Sequence, residues 1–429
     1  MNRSIKQSLG FNLNKLNISK ENLFIILIIF GIPLNLYKNR FYDNNWTVGE
    51  WLISYSGGFV RRGLPGTIIH KIASQFLISP IILTWVISVL SILSLAGLIL
   101  YSCKNCFDKS FLLSHLIILA PISEDYLVRK DSFLVLIYGM SLLLIRQLYF
   151  RRINIYTCLT CVNFLSIFAI LSHESFGIWA LPSLILIIYI NQISSKGNIY
   201  WSYKSFLKTL LMMSPSFIAF ILCWLYKGNL NQSISIHEGW QELKDILPSQ
   251  GALEALTPDG AIGAIGWGTT QVYTSSLFSQ FNLLIFWHPG MWLLTIFIVM
   301  RLFIGKTKPK FQKAKRLTIC LQLIAFLPMF LFVDIGRWIF MWLASSALLV
   351  GFMMNVSDVD VILKNNLRLK GSQILPKLIP GFISSRNYNL TLLLIGLPHC
   401  CWSVGRYIVS NPIGFAFKNV IFYFKLLFL

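Results

Sequence analysis

Long apolar runs alternate with short polar segments along almost the whole of this 429-residue chain. A run of about 20 apolar residues is long enough to cross a bilayer as a helix. The pattern predicts eleven membrane spans, within a range of ten to twelve, near residues 22–37, 76–101, 111–123, 132–150, 155–172, 176–193, 206–226, 281–304, 317–333, 336–354 and 390–409. We therefore expect an all-α integral membrane protein.

The same pattern divides the chain into a polar N-terminal tail (1–21), a polytopic domain (22–409) and an apolar C-terminal tail (410–429). The last part carries Lys418 and Lys425, so it is either a further span or a helix lying in the membrane interface. No small-residue cleavage site follows the first apolar run, so an uncleaved first span is expected. Two loops, 38–75 and 227–280, are long enough to contain short helices on the membrane surface.

Composition and charge support this class and give it an orientation. Hydrophobic residues make up 55% of the chain and charged residues 12%, whereas soluble domains are about a quarter charged. Of the 37 Lys and Arg residues, 24 fall in alternate loops, most densely at 306–316, and twelve of the 16 acidic residues fall in the other set. The positive-inside rule then places the N-terminus in the cytoplasm. The net charge of +21 needs no nucleic acid to explain it, because no soluble basic domain is present.

The first outer loop combines acidic residues with a glycine-rich basic turn. Asp43 and Glu50 precede the stretch Gly57–Gly66, which contains Arg61 and Arg62. Glycines permit close approach of the backbone, and paired guanidinium groups suit a phosphate. The alternative is an interfacial turn whose tryptophans and arginines contact lipid headgroups.

Three short segments on the same expected face carry further ionisable residues. They are Glu124, Asp125, Arg129, Lys130 and Asp131 in the first, His173 and Glu174 in the second, and Asp334 and Arg337 in the third. Ionisable residues beside apolar runs are costly to bury and indicate function by default. At spacings of three or four residues, opposite charges could instead pair for structure alone. The long loop 227–280 is interpreted as a substrate lid, with a partner-binding or plain structural element as the alternative.

The sequence lacks the motifs of several classes of enzyme. The chain has no G-x-x-x-x-G-K-[ST], H-E-x-x-H or G-x-S-x-G sequence, so nucleotide hydrolysis, zincin chemistry and the hydrolase elbow are not indicated. Two Cys-x-x-Cys pairs, at 103–106 and 158–161, could hold zinc, but free cysteine is also a common small hydrophobic residue. We expect no cofactor, and no divalent metal is indicated.

Sugar transfer from a polyprenyl-phosphate carrier fits the residues that remain. The phosphate leaves without protonation, so the acceptor hydroxyl needs one carboxylate as general base, and cations offset the departing charge. A glycosidase normally needs two carboxyl groups. The expected phosphate-binding residues are Arg61, Arg62, Arg129, Lys130 and Arg337. The residues expected to bind or shape the sugar site are Glu124, Asp125, Asp131, His173, Glu174 and Asp334.

The layout of the loops resembles that of the GT-C superfamily of polyprenyl-phosphate-sugar-dependent glycosyltransferases. The stretches Gly57–Gly63 and Asp334–Trp338 are similar to motifs of polytopic proteins from bacterial surface-polysaccharide clusters. The resemblance implies a GT-C-like helical bundle in the bacterial inner membrane and an inverting, hexosyltransferase-like reaction on the non-cytoplasmic face. It also implies a catalytic acid in the first outer loop, which here is Asp43 or Glu50. The partners would be a lipid-linked sugar donor, a glycan or lipid-linked acceptor, and membrane lipids.

Two other classes stay open at the level of sequence. An O-antigen-type polymerase also acts on lipid-linked sugars with arginines in its outer loops. A flippase or transporter should show inverted repeats and ionisable residues within its spans, but the two halves of this chain show no such repeat. A non-catalytic scaffold is the remaining alternative.

Overall fold

The computed structural model describes residues 19–41, 45–124, 126–194, 202–243, 258–267, 287–305, 309–331, 334–355, 385–399 and 404–428. These residues form helices and turns, and no β-strand occurs among them. The prediction of an all-α chain is therefore confirmed for this part of the protein.

The helices are numbered in chain order. The first ten are α1 (Lys20–Phe41), α2 (Val48–Trp51), α3 (Gly63–Phe76), α4 (Pro80–Cys103), α5 (Lys109–Leu113), α6 (Ala120–Ser123), α7 (Asp131–Tyr149), α8 (Ile155–Ser172), α9 (Ser175–Trp179) and α10 (Leu181–Ser194). The others are α11 (Tyr203–Met212), α12 (Ser214–Leu225), α13 (Leu230–Gln241), α14 (Gly260–Gly263), α15 (Trp287–Ile304), α16 (Pro309–Phe326), α17 (Ile335–Asn355), α18 (Ser385–Leu394), α19 (Val404–Ser410) and α20 (Pro412–Phe428).

Four described helices, α4, α7, α8 and α17, are long and apolar enough to cross a membrane. The pair α11 and α12, bent by 61°, would make a fifth span if it is counted as one. Three shorter apolar segments lie in α1, α10 and α15. These helices are compatible with a membrane protein, but the predicted count of eleven spans is not confirmed.

Helix α17 forms the centre of the molecule. Its apolar segment, within Ile335–Met354, is completely buried inside the protein. The helix packs against α4, α7 and α16. A helix that is apolar on every side lies either in lipid or inside a protein, and here other helices enclose it. Its first turn carries Arg337, so the centre of the bundle also positions a buried cation.

The predicted span 111–123 is not one helix. It consists of α5 and α6 joined by turns, and its residues are buried. Backbone that is not helical is tolerated at membrane depth only where protein surrounds it. The Asn35 side chain of α1 donates a hydrogen bond to the Ile122 carbonyl at 3.2 Å, which satisfies one acceptor of this buried segment.

Parts of the two long loops pack together beside the bundle. Trp240 of α13 donates its indole N–H to the Leu52 carbonyl at 2.7 Å, and the Ala261 N–H donates to the Asn45 carbonyl at 2.9 Å. Apolar side chains from both loops form a second, smaller core, which includes Val48, Trp51, Ile53, Val60, Ile236, Trp240 and Ile265. This core fixes α2 and the glycine-rich turn against the end of the bundle.

Candidate functional site

Ionisable side chains from separate parts of the chain meet at one end of the bundle. We call this group the charged cluster; it contains Glu50, Arg61, Arg62, Arg129, Lys130, Asp131, His173, Glu174, Asp334, Arg337 and His399. The helices α3, α7 and α17 all begin there, at Gly63, Asp131 and Ile335. Helix N-termini carry partial positive charge, so they favour the carboxylates of the group.

Arg337 is the hub of the buried half of the cluster. Its Nε and Nη2 atoms each donate to a carboxylate oxygen of Asp131 at 2.7 Å, and its Nη1 donates to Asp334 at 2.7 Å. A forked pair of this kind is among the stronger hydrogen-bonded contacts that side chains make. Arg129 Nη1 reaches the same Asp334 oxygen at 3.2 Å. The third carboxylate, Glu50, lies 3.9 Å from Arg337 Nη2.

Glu174 is the hub of the other half. Arg62 Nε donates to one of its oxygens at 2.8 Å and Arg62 Nη2 to the other at 2.5 Å, while Arg61 Nη1 reaches it at 3.5 Å. Burial would raise the pKa of Glu174, but the charges of Arg62 and Arg61 outweigh it and hold that pKa well below its ordinary value. The carboxylate is therefore ionised in the neutral range.

His173 joins the two halves. Its Nδ1 accepts a hydrogen bond from the Ser175 backbone N–H at 3.2 Å, and its Nε2 lies 3.3 Å from Glu50 Oε1. The ring is thus a neutral tautomer that donates from Nε2, and burial together with the charge of Arg62 lowers the pKa of His173. Burial alone would raise the pKa of Glu50, but the hydrogen bond from His173 and the charge of Arg337 hold it well below the ordinary value.

Lys130 lies between the halves and is completely buried. Its Nζ donates to the backbone carbonyls of Ser172 at 3.0 Å and Arg62 at 3.4 Å, and it lies 5.7 Å from the centre of the Trp51 ring. Burial lowers the pKa of Lys130 to about 7, against the opposing attraction of Glu50. Its ammonium group therefore changes charge near neutral pH.

The backbone of the glycine-rich turn places Arg62. Arg62 has φ of 66°, a left-handed conformation that residues other than glycine seldom adopt. A side chain at Gly63 would overlap the Tyr55 ring, and one at Gly66 would overlap the Ile53 carbonyl oxygen. The turn can fold against its own loop only because these two positions lack Cβ atoms.

Asp334 connects the cluster to the segment after α18. His399 Nε2 lies 3.6 Å from Asp334 Oδ1. Burial would raise the pKa of Asp334, but Arg129, His399 and Arg337 together hold it well below the ordinary value. A Cβ atom at Gly336 would lie 2.0 Å from the Pro398 carbonyl oxygen, so glycine there permits the close approach of this segment.

The cluster has a buried interior and a partly exposed rim. The side chains of Arg337, Asp131 and Glu50 are 3%, 1% and 4% exposed, whereas Asp334 and Arg62 are 28% and 26% exposed. Several interior and rim atoms have no hydrogen-bond partner within the described residues: Glu50 Oε2, Arg61 Nε, Arg129 Nε and His399 Nε2. Buried polar atoms in this state are uncommon and are often found at sites that bind or react.

Ten of the thirteen site residues predicted from sequence thus lie in the charged cluster. Glu124 lies beside it, on a cavity that it shares with His399. Asp43 and Asp125 lie outside the described residues, so their predicted roles stay predictions. The sequence analysis missed His399, Arg406 and Lys418, which line that cavity. His399 follows a proline within an apolar run, and an ionisable residue in such a position is a signal for a functional site.

Comparison with protein-family models, with curated proteins and with solved structures returned no match to this chain. The resemblance to the GT-C superfamily therefore stays a prediction. Within the described residues no group of three or more His, Cys, Asp and Glu side chains is placed to hold a metal ion.

Proposed function

We propose that this protein is a membrane glycosyltransferase that moves a sugar from a polyprenyl-phosphate donor to a glycan or lipid-linked acceptor. The observation that carries the proposal is the convergence of carboxylates and cations from separate loops on one end of an apolar helical bundle. We further propose that this end faces away from the cytoplasm, in the inner membrane of a bacterium, and that the product belongs to a surface polysaccharide.

Glu50 is the proposed general base. Its low pKa keeps it ionised at neutral pH, and the N–H of His173 holds one of its oxygens in place at 3.3 Å. The other oxygen, Oε2, has no hydrogen-bond partner within the described residues. That oxygen would accept the proton of the acceptor hydroxyl as the sugar is transferred. Glu50 is buried, so acceptor binding must open a path to it.

Arg61 and Arg129 are the proposed contacts of the departing phosphate. Arg337 and Arg62 are already engaged by carboxylates, and Lys130 is engaged by two backbone carbonyls. Arg61 and Arg129 also contact carboxylates, through Nη1 at 3.5 Å and 3.2 Å, but each keeps a buried Nε–H without a hydrogen-bond partner in the described part of the chain. Donors fixed in advance around a developing negative charge lower the barrier to its formation.

The test is the glycan profile of a deletion strain that carries plasmid copies of the gene. Glu50→Gln should fail to restore the profile, with an activity loss of about a hundredfold or more, since a general base contributes about that factor. Glu238→Gln, which makes the same change at an exposed position of α13, should restore it. Protein amounts in the membrane must be equal for the two variants.

The profile also separates the competing classes. Loss of a transferase leaves a truncated repeat unit, whereas loss of an O-antigen-type polymerase leaves complete single units, and loss of a flippase retains lipid-linked units in the cytoplasm. Full restoration by Glu50→Gln would overturn the assignment of Glu50 as base. Asp43→Asn, tested in parallel, examines the other acidic residue predicted for that role.

A further inference from the structure

A cavity of about 370 Å³ lies next to the charged cluster. Its lining includes Glu124, His399, Arg406 and Lys418, which come from three separate parts of the chain. The volume falls within the range of about 300–1,000 Å³ found for small-molecule sites. His399 belongs to both the cavity and the cluster, through its contact of 3.6 Å with Asp334.

The charges on this cavity favour an anion. Arg406 and Lys418 are both cationic, and Glu124 is the single carboxylate among the lining residues. The His399 ring also lines the cavity, and its Nε2 lies 3.6 Å from Asp334 Oδ1. A planar guanidinium and a compact ammonium are the two side-chain groups that bind phosphate oxygens most often.

The surroundings of the cavity favour a lipid as the source of that anion. Lys418 lies on α20 between Phe417 and Ile421, whose side chains are 66% and 56% exposed. Ile408, next to the lining residue Val409 on α19, is 54% exposed. Exposed apolar surface of this extent around a cationic pocket marks contact with a membrane, and long basic side chains reach from such surface to the headgroups.

We propose that this cavity binds the phosphate group of a membrane lipid. Arg406 and Lys418 bind the phosphate oxygens, and the acyl or prenyl chain lies along the exposed apolar faces of α19 and α20. The site opens next to Asp334, so a lipid held there has its headgroup at the rim of the charged cluster. The inference goes beyond the proposed function, because phosphate binding is measured without sugar transfer.

The test is calorimetric titration of the full-length protein in a non-ionic detergent. The probes are a short-chain phosphatidic acid, a short prenyl monophosphate, phosphatidylcholine with the same chains as the phosphatidic acid, and inorganic phosphate. The double variant Arg406→Gln, Lys418→Gln should bind the two lipid monophosphates at least about tenfold more weakly, as expected for lost hydrogen bonds between charged groups. Arg406→Lys with Lys418→Arg should keep most of the affinity, which also shows that the protein remains folded.

Lys425→Gln is the control for Lys418→Gln, tested as a single variant beside it, because each removes one positive charge from the same helix and Lys425, at an exposed position, does not line the cavity. Unchanged affinity in the double variant would overturn the proposal. An equal loss with Lys425→Gln would also overturn it, since that result indicates general attraction between charges. Equally tight binding of inorganic phosphate would refute a lipid as the ligand. Binding of the lipid phosphates in a protein with no transferase activity would leave this site intact and count only against the proposed function.

Discussion

At the scale of single residues, the buried ion pair of Arg337 and Asp131 makes the stability of the protein sensitive to substitution. Two charges that are 3% and 1% exposed have lost almost all of their hydration, and two hydrogen bonds of 2.7 Å replace it. Such pairs are weak evidence for net stabilisation, because the desolvation cost can equal the attraction. The dependence runs mainly one way: Arg337 also contacts Asp334, whereas loss of Arg337 takes from the buried Asp131 carboxylate the ion pair that compensates its charge.

Replacing one partner of this pair should therefore destabilise the protein strongly. We expect Arg337→Met to lower the free energy of unfolding by about 3–5 kcal/mol, the usual cost of breaking a buried ion pair. The double variant Arg337→Met, Asp131→Leu should recover a large part of that loss. Thermal unfolding in detergent measures both, with Arg152→Met at an exposed position as the control. A double variant no more stable than the single one would contradict this account.

Burial of Lys130 makes the free energy of unfolding depend on pH, in a direction that follows from its pKa. Its pKa is about 7 in the folded protein and 10.5 for an ordinary lysine. Between these values the unfolded chain holds a proton that the folded protein has released, so stability rises with pH in this window. Below pH 7 both states hold the proton and the cost of burying the ammonium is complete.

The unfolding temperature measured from about pH 7 to pH 10 tests this sign. The rise with pH should be smaller in Lys130→Met than in the unmodified protein. Lys71→Met, which removes a charge from an exposed position of α3, should leave the rise unchanged. The same slope in all three proteins would refute the assignment of the low pKa to Lys130.

At the scale of elements, close approach of backbone segments brings the site together. The start of α17 contacts the chain after α18 because Gly336 has no side chain. We expect Gly336→Ala to displace the Pro398–His399 segment, to destabilise the protein, and to reduce transferase activity. In contrast, a Cβ atom at Gly97 of α4 meets no atom within 4 Å. Alanine there should stabilise the protein by about 0.5–1 kcal/mol, because alanine loses less chain entropy in a helix.

Unfolding temperatures of the two alanine variants, measured side by side, check this contrast. Equal stability of Gly336→Ala and the unmodified protein would show that the segment adapts without cost. A matching loss in Gly97→Ala would show that the effect comes from the membrane surroundings of the helices and not from the contact with Pro398.

The elements also show what apolar periodicity can and cannot predict. Runs such as 132–150 and 155–172 correspond closely to α7 and α8, because an uninterrupted apolar run has few alternatives to a spanning helix. The run 111–123 is also largely apolar but folds as two short helices enclosed by protein. Hydropathy reports burial in an apolar medium, and it does not distinguish lipid from the interior of the bundle.

The spacing of residues along the chain also predicts only part of the ion pairing within the site. The four-residue separation of Asp125 and Arg129 favours a local pair, which stays a prediction because Asp125 lies outside the described residues. Arg129 contacts Asp334, more than two hundred residues away, which its spacing could not indicate. The sequence could show that Arg337 and Asp334 lie one helical turn apart, and the structure has them in contact at 2.7 Å. It could not show that Asp131 takes the other side of Arg337, because that contact depends on how α7 packs against α17.

At the scale of the whole molecule, acidic residues of the described part of the chain lie at both ends of α1 and of the bundle around it. Glu21, in the first turn of α1, accepts a hydrogen bond from Ser110 at 3.3 Å. The far end of the same helix is anchored by Asn35 near the charged cluster, through the carbonyl of Ile122. The charged cluster and the turn that joins α7 to α8 thus lie at opposite ends of α7, as alternating loops of a membrane protein require.

This two-ended arrangement predicts the result of a labelling experiment in intact cells. Ser74 is exposed on α3, close to the start of α4, and Arg152 is exposed between α7 and α8. If the cluster faces away from the cytoplasm, a maleimide that cannot cross membranes should label Ser74→Cys in intact cells and Arg152→Cys only after lysis. The unmodified protein supplies the background from its own cysteines. The reverse labelling would place the cluster in the cytoplasm, where a lipid-linked sugar donor of the proposed kind is not used, and would end the assignment of this site to surface-glycan transfer.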